Sequence, residues 1–234
     1  MGIGTASHHH GSSHSHGTST GHPACSSPET EPPARPLRIG IAGPIGSGKT
    51  TLMIELVRRL AADGIACGVV TNDVYTTVDA DIVTRSGVLP TERIVGVATG
   101  GCPHAAIRDD VSVNDAAVTG LVAREPGLDV VFIESGGDNL TATFSRELVH
   151  RWICVIDVGA GDKIPSKGGP GITESDLVVV NKSDIADQVG ASVAIFRRDL
   201  DAARGELPYA VTSTRDDASM ASVAGLVGAW ATVG

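Results

Sequence analysis

Aromatic side chains are nearly missing from this chain: three Phe, two Trp and two Tyr make up only 3% of 234 residues. A core must therefore be built from Val, Ile, Leu and Ala. No apolar run reaches 18 residues, and the N-terminus lacks the apolar segment of a secretory signal. These absences predict a soluble, cytoplasmic protein with no membrane partner. No basic stripe interrupts the net charge of −9, so sequence-independent nucleic-acid binding is not expected. Cysteine is scarce, at positions 25, 67, 102 and 154 with no short paired spacing, so disulfides are not expected in that compartment. Cys67 and Cys154 fall inside apolar strand patterns and read as small buried residues.

The first 36 residues differ from the rest. They are rich in His, Ser, Gly, Thr and Pro and almost free of large apolar side chains. Such a segment cannot bury enough surface to offset its ordering entropy, and it reads as a disordered tail. It carries His8, His9, His10, His14, His16 and His22, six of the eight histidines. A tract of that composition collects metal ions loosely. A tag remnant or polar linker is the plain alternative, against which the interrupted spacing speaks. Residues 37–234 suit one domain with a full core.

That part opens on its most informative stretch, Gly43-Pro44-Ile45-Gly46-Ser47-Gly48-Lys49-Thr50. It fits G-x-x-x-x-G-K-[ST], follows the apolar run Leu37–Ala42 and precedes a helical pattern, the context that a phosphate-binding loop needs. Its glycines let backbone N–H groups close around phosphate oxygens. Lys49 would bring positive charge to the β and γ phosphates, the Thr50 hydroxyl would be a Mg²⁺ ligand, and Thr51 would continue the nucleotide contact.

Apolar, β-branched runs at Leu37–Ala42, Cys67–Thr71, Ile94–Ala98, Val130–Glu134, Ile153–Asp157 and Leu177–Asn181 read as strands, with another at Tyr209–Thr212. Helical patterns lie at Lys49–Ala62, Ala105–Ala123, Ser192–Arg204 and Ser219–Ala231. The alternation predicts an α/β phosphate-loop NTPase with a mostly parallel central sheet flanked by helices. Ligands bind such sheets beyond the carboxyl ends of the strands. The unusual residues gather there: Thr71-Asn72-Asp73, Thr99 to His104, Glu134 to Asn139, Asp157, and Asn181-Lys182-Ser183-Asp184.

The last of these fits N-K-x-D, about 130 residues beyond the phosphate loop. Guanine offers two donors, N1–H and the 2-amino group, to one carboxylate, whereas adenine would turn its N1 lone pair toward Asp184. Hydrogen bonds to a charged group contribute about 1.5–3 kcal/mol each, so GTP is expected over ATP. Lys182 would pack its stem along the base, and Asn181 completes the turn. Asp73 and Glu134 are candidates to stand near Mg²⁺ or the attacking water; helix capping or a loop turn is the bland role for each. Gly136 and Gly137 could set a backbone N–H against the γ-phosphate.

Cys102-Pro103-His104 places a thiol and an imidazole either side of a rigid proline. Both suit borderline divalent metals such as Ni²⁺ and Zn²⁺. Two ligands make a poor closed site, but a two-fold axis beside the turn would supply four. A buried thiol with a helix-capping His, or a thiol nucleophile activated by His, are the other readings.

The blocks GPIGSGKT, VVTNDVYTTVDADI, TGGCPHAAIRDD, ESGGDNLTATFS, KIPSKGGPGI and VVVNKSDIA closely resemble the UreG family of urease accessory GTPases, in the same order, over about Leu37 to Ala203. The resemblance implies a nickel metallochaperone of the SIMIBI class of phosphate-loop GTPases, which dimerises when it holds GTP and Mg²⁺. It implies that Cys102 and His104 bind nickel at the dimer interface, and that GTP hydrolysis accompanies nickel transfer to apo-urease through other urease accessory proteins. Ala98 departs from the family, where Glu commonly precedes Thr-Gly-Gly. The likeness fades after Ala203, so no guanine contact is expected from Thr212-Ser213-Thr214. A HypB-like GTPase of hydrogenase maturation would carry a cysteine-rich N-terminal motif, and none is present. A phosphate-loop small-molecule kinase would need an acceptor pocket, and a passive metal buffer would ignore nucleotide.

Overall fold

The seven expected β-rich runs form strands β1 (Leu37–Ala42), β2 (Cys67–Asp73), β3 (Ile94–Ala98), β4 (Val130–Glu134), β5 (Arg151–Asp157), β6 (Leu177–Asn181) and β7 (Tyr209–Val211). The computed structural model describes residues 36–73, 78–100, 103–137 and 143–232, without the side chains of 103 and 104. The expected tail, all but Pro36, lies outside the described residues. The strands make one sheet in the order β3-β2-β4-β1-β5-β6-β7, and every pairing is parallel.

Side chains alternate across each strand, so a strand covered on both faces is apolar throughout. Ile39, Ile41, Val130, Phe132, Ile153, Val155, Leu177 and Val179 point into one core. Their neighbours Val131, Ile133, Trp152, Cys154, Ile156, Val178 and Val180 point into the other. The first core is closed by α1 (Lys49–Ala62), α2 (Val78–Ser86) and α8 (Asp217–Thr232), through Leu52, Leu56, Val83 and Val223 among others. The second is closed by α3 (Pro103–Arg108), α4 (Ser112–Arg124) and α7 (Val193–Arg204), through Ile107, Leu121 and Phe196. Cys67 and Cys154 are buried core thiols, and desolvation pushes both up to about 12.

Three differences from the sequence reading have local causes. The helix expected over Ala105–Ala123 is two helices. The Asp110 carboxylate accepts from Ser112 N (3.2 Å) and Ser112 Oγ (2.6 Å), giving the backbone an alternative to the helical ladder. These bonds also hold the Asp110 carboxyl below its ordinary range. Helix α2 was not anticipated: only Ala80 and Val83 of its nine residues are buried, too few to show a period. Two single-turn helices, α5 (Ile164–Lys167) and α6 (Pro170–Thr173), fill the connection between β5 and β6.

Arg204, at the end of α7, holds that connection in place while only 4% exposed. Its guanidinium donates to Ile172 O, to Ser175 Oγ at 3.1 Å, to Ser175 O at 2.9 Å and to Pro208 O at 2.9 Å. Four acceptors from three segments meet one fixed fork of donors. Arg204→Met fills the space but leaves those acceptors unpaired. We expect it to destabilise the domain by about 3 kcal/mol, read as a lower urea midpoint at unchanged slope.

Candidate nucleotide site

Because every strand is parallel, the carboxyl ends of β2, β4, β1, β5 and β6 lie side by side along one edge. The register is Asp73↔Ala98, Thr71↔Glu134, Ile41↔Glu134 and Asp157↔Asn181. Chain direction across the sheet reverses beside β1, where open α/β sheets bind their ligands. The loop Gly43–Thr50 leaves β1 at this place and runs into α1.

The loop is gripped from the end of β6. Asn181 Nδ2 donates to Ser47 O at 3.0 Å, and Lys182 Nζ donates to Gly46 O. Gly48 caps α1 in the left-handed region at φ 90°, and a Cβ there would stand 2.5 Å from Asn181 Nδ2. Only glycine satisfies both the conformation and the close approach. The first turn of α1 holds no acid, so its free N–H groups face a phosphate site without competition. Lys49 is 7% exposed, and its Nζ donates to Pro44 O at 3.1 Å. Gly137, at φ 88°, lets the turn after β4 lie against it: a Cβ there would be 2.6 Å from Ile45 Cγ1 and 3.4 Å from Lys49 Nζ. Gly136 belongs to the same turn.

Thr50 and Glu134, 84 residues apart, meet here: Thr50 Oγ1 donates to Glu134 Oε1 at 2.6 Å. Glu134 is wholly buried, and desolvation lifts its carboxyl to about 7. The Thr50 hydrogen bond and Lys49 oppose that rise, while Asp79 and Asp73 add to it. Asp79, on the first turn of α2, was not among the sequence candidates. Burial and Asp73 raise its carboxyl, and Lys49 and a Thr50 hydrogen bond oppose. Its signal in the sequence was spacing, six residues beyond Asp73 in the Asp-rich block after β2. Asn72 Nδ2 donates to Glu134 O at 3.1 Å and ties the ends of β2 and β4.

Glu134 Oε2, buried at this spot, has no partner among the described residues. With the Thr50 hydroxyl it offers oxygen donors, the type Mg²⁺ takes. Among the described residues no three His, Cys, Asp or Glu side chains form a metal cluster by themselves. A cation here would need phosphate oxygens or water to complete its shell, as Mg²⁺ at nucleotides does.

The base-sized space lies on the other side of the loop. A cleft of about 250 Å³ is walled by Gly48 and Thr51, by Lys182, Asp184 and Ile185, and by Ser213-Thr214-Arg215. Lys182 sits in the left-handed region at φ 61° with its N–H on Asn181 Oδ1 (2.8 Å), and its ammonium lies 3.7 Å from Asp157 Oδ1. It is the only non-glycine residue at positive φ among the described residues. The third wall was not expected from sequence: β7 lies beside β6, which brings the turn after β7 to face Asp184.

Pro103 and His104 begin α3, the helix that follows β3 in the chain. Cys102 and the His104 side chain, the expected metal ligands, lie outside the described residues. Ala98 and Thr99 line a small hollow beside the start of α3, with Ala105, Ala106, Asp110 and Val113.

Residues 37–210 match the CobW/HypB/UreG nucleotide-binding domain. The chain is 55% identical over 185 residues to the urease accessory protein UreG of Mycobacterium sp. (strain KMS), covering 79% of this chain and 80% of that one. The chain belongs to the UreG family. The UreG of Mycobacteroides abscessus is 54% identical over 191 residues, covering 82% of this chain and 83% of its own. Among solved structures, HypB from Helicobacter pylori in complex with nickel has a TM-score of 0.68 at 21% identity, covering 82% and 86% of the two chains. HypB from Archaeoglobus fulgidus has a TM-score of 0.66 at 20% identity, covering 84% and 90%. These two share the fold. In this UreG-family chain, no helix of the described residues is long and apolar enough to cross a membrane.

The buried acid gives a pH dependence of defined sign. Glu134 titrates at about 7 when folded, above the ordinary 4.5. The folded state therefore holds a proton that the unfolded chain releases. Its contribution to stability is full below about pH 4.5 and is lost as pH rises through 7. Glu134→Gln should remove this slope. In nucleotide-free protein at pH 8 the variant should be more stable than the parent by about 3 kcal/mol, with the difference vanishing near pH 4. Urea unfolding of both proteins across that range is the measurement.

Proposed function

We propose that this chain is a GTP-binding and GTP-hydrolysing nickel metallochaperone for urease maturation. The observation that carries the reading is the direct grip of the Asn181-Lys182 turn on the phosphate loop, in a chain of the UreG family. A cleft of about 250 Å³ with Asp184 in its wall lies beside the loop and supports the reading.

In this reading Gly43, Pro44, Ile45, Gly46, Ser47 and Gly48 wrap the phosphates with backbone N–H groups, and Lys49 neutralises their charge. Thr51 and Lys182 flank the base, and Asp184 accepts from guanine N1–H and the 2-amino group. Thr50, Asp73 and Glu134 are the residues that would hold Mg²⁺, which when bound would supply charge neutralisation for the phosphates. Asp73 and Glu134 orient the attacking water. Gly136 brings a backbone N–H to the γ-phosphate. Phosphoryl transfer depends on positioning, so hydrolysis is slow until a partner orders these loops.

Nickel is the cargo, held by Cys102 and His104 from each of two subunits, with Zn²⁺ as the competing ion. The turn that carries them follows β3, whose neighbour β2 leads to Asp73 and α2. Nucleotide state and metal turn are thus joined through one strand pair. GTP drives the homodimer, and hydrolysis releases nickel to apo-urease through the other accessory proteins in the cytoplasm.

A swap of base specificity tests both halves together. Asp184→Asn should lose GTP-dependent activation of apo-urease, in a reconstitution with nickel and the accessory proteins, and gain xanthosine triphosphate-dependent activation. The 2-oxo group of xanthine suits an amide donor. Activation by GTP and ATP alike, or none that depends on nucleotide, would contradict the reading.

A further inference from the structure

Thr99 directly follows β3 and is bonded twice to one atom. Its N–H donates to Asp73 O at 2.9 Å, and its hydroxyl donates to the same oxygen at 3.2 Å. The first bond continues the parallel ladder that pairs Asp73 with Ala98. The second fills the other lone pair of the last carbonyl of β2. The next strand end is tied in a similar way, since Asn72 Nδ2 donates to Glu134 O at 3.1 Å. Two side chains thus link the carboxyl ends of β4, β2 and β3 in series.

Asp73 acts in two directions. Its carboxylate is close enough to Glu134 and Asp79 to raise both of their carboxyls, at the place assigned to phosphates and cation. Its carbonyl holds Thr99. A charge that draws the Asp73 side chain therefore acts on the residue that anchors the segment after β3. That segment has freedom to respond. Gly100, the next residue, stands at φ 62°, in the left-handed region that glycine enters without steric cost. Ala98, Thr99, Ala105 and Ala106 line a hollow of about 190 Å³ between the end of β3 and α3. Ala98 ends in a methyl group and has no hydrogen bond to offer from its side chain. Cys102 stands three residues beyond Thr99 in the chain, and His104 five.

We propose that Thr99 is a positioning residue, whose hydroxyl transmits nucleotide occupancy from Asp73 to the metal turn. This rests on the reading of the chain as a nucleotide-dependent nickel chaperone. A backbone bond alone would leave the strand end free to twist about it. The second bond from the same residue to the same oxygen removes that freedom. The orientation of the Asp73 carbonyl and the path of the chain after Thr99 then change together.

The test is equilibrium titration of the full chain with a fluorescent, non-hydrolysable GTP analogue in Mg²⁺, with and without saturating Ni²⁺. The readout is nucleotide affinity, so nickel held by the histidine tract does not mask it, and linkage makes the measured factor equal to the effect of nucleotide on nickel. In the parent, Ni²⁺ should tighten nucleotide binding; in Cys102→Ala it should not. Thr99→Val keeps the branched shape and removes the hydroxyl. Without Ni²⁺ it should match the parent within about twofold, while the nickel effect falls about fivefold. Thr99→Ser should restore most of that effect. An undiminished nickel effect in Thr99→Val, including an equal loss of affinity with and without Ni²⁺, would overturn the proposal and leave the hydroxyl a support of the strand end alone. Failure of Thr99→Ser to recover would overturn it too. A parent whose nucleotide affinity ignores Ni²⁺, or a Cys102→Ala protein that still responds to it, would contradict the chaperone reading itself, and the role of Thr99 with it.

Discussion

The contact on which the site depends is the one between the end of β6 and the phosphate loop. A loop of glycines has little shape of its own, because each glycine is free to adopt many conformations. Here two side chains from one turn hold its carbonyls: Asn181 takes Ser47 O and Lys182 takes Gly46 O. Lys182 adopts a left-handed backbone to do so, a conformation that disfavours any residue with a Cβ. The Asn181 carbonyl oxygen receives the Lys182 N–H and supports that conformation. The base cleft and the phosphate loop therefore cannot shift independently. Asp184, in the cleft wall, directly follows the turn that positions Gly46 and Ser47.

Around this fixed frame the charges are arranged under tension. Glu134 is wholly buried, shares a hydroxyl proton with Thr50, and lies near Asp73, Asp79 and Lys49. Three acids near one lysine, two of them desolvated, favour the arrival of further positive charge. Glu134 Oε2 is buried among them with no partner among the described residues. Asp79 comes from α2 and Asp73 from β2, the strand that pairs with β3.

Most of the fold was legible because the chain is so poor in aromatics. Its core strands are unbroken β-branched runs, and β1, β3, β4 and β6 begin and end where the pattern does. Strand β5 starts two residues earlier than expected, since Arg151 pairs beside Ile39 with an exposed side chain and leaves no apolar signal. Helix α2 was hidden by its exposure, and with it Asp79. The break between α3 and α4 turned on one carboxylate, Asp110, whose bonds to Ser112 compete with the helix. The Gly43–Thr50 loop was readable because its residues stand at fixed spacing between a strand and a helix, and the structure brings Asn181 and Lys182 against it. Ser213-Thr214-Arg215 was not readable: its place in the cleft follows from β7 lying beside β6, a tertiary fact with no local signature.

The central claim is that nucleotide and nickel act through one shared assembly. Light scattering on protein lacking residues 1–30, which removes the histidine tract, measures this most directly. With a non-hydrolysable GTP analogue, Mg²⁺ and Ni²⁺ together, the account predicts a mass of two chains holding one nickel ion between them. An ATP analogue in its place should leave single chains. A mass that stays at one chain with all three ligands present, or one nickel bound per single chain, would contradict it.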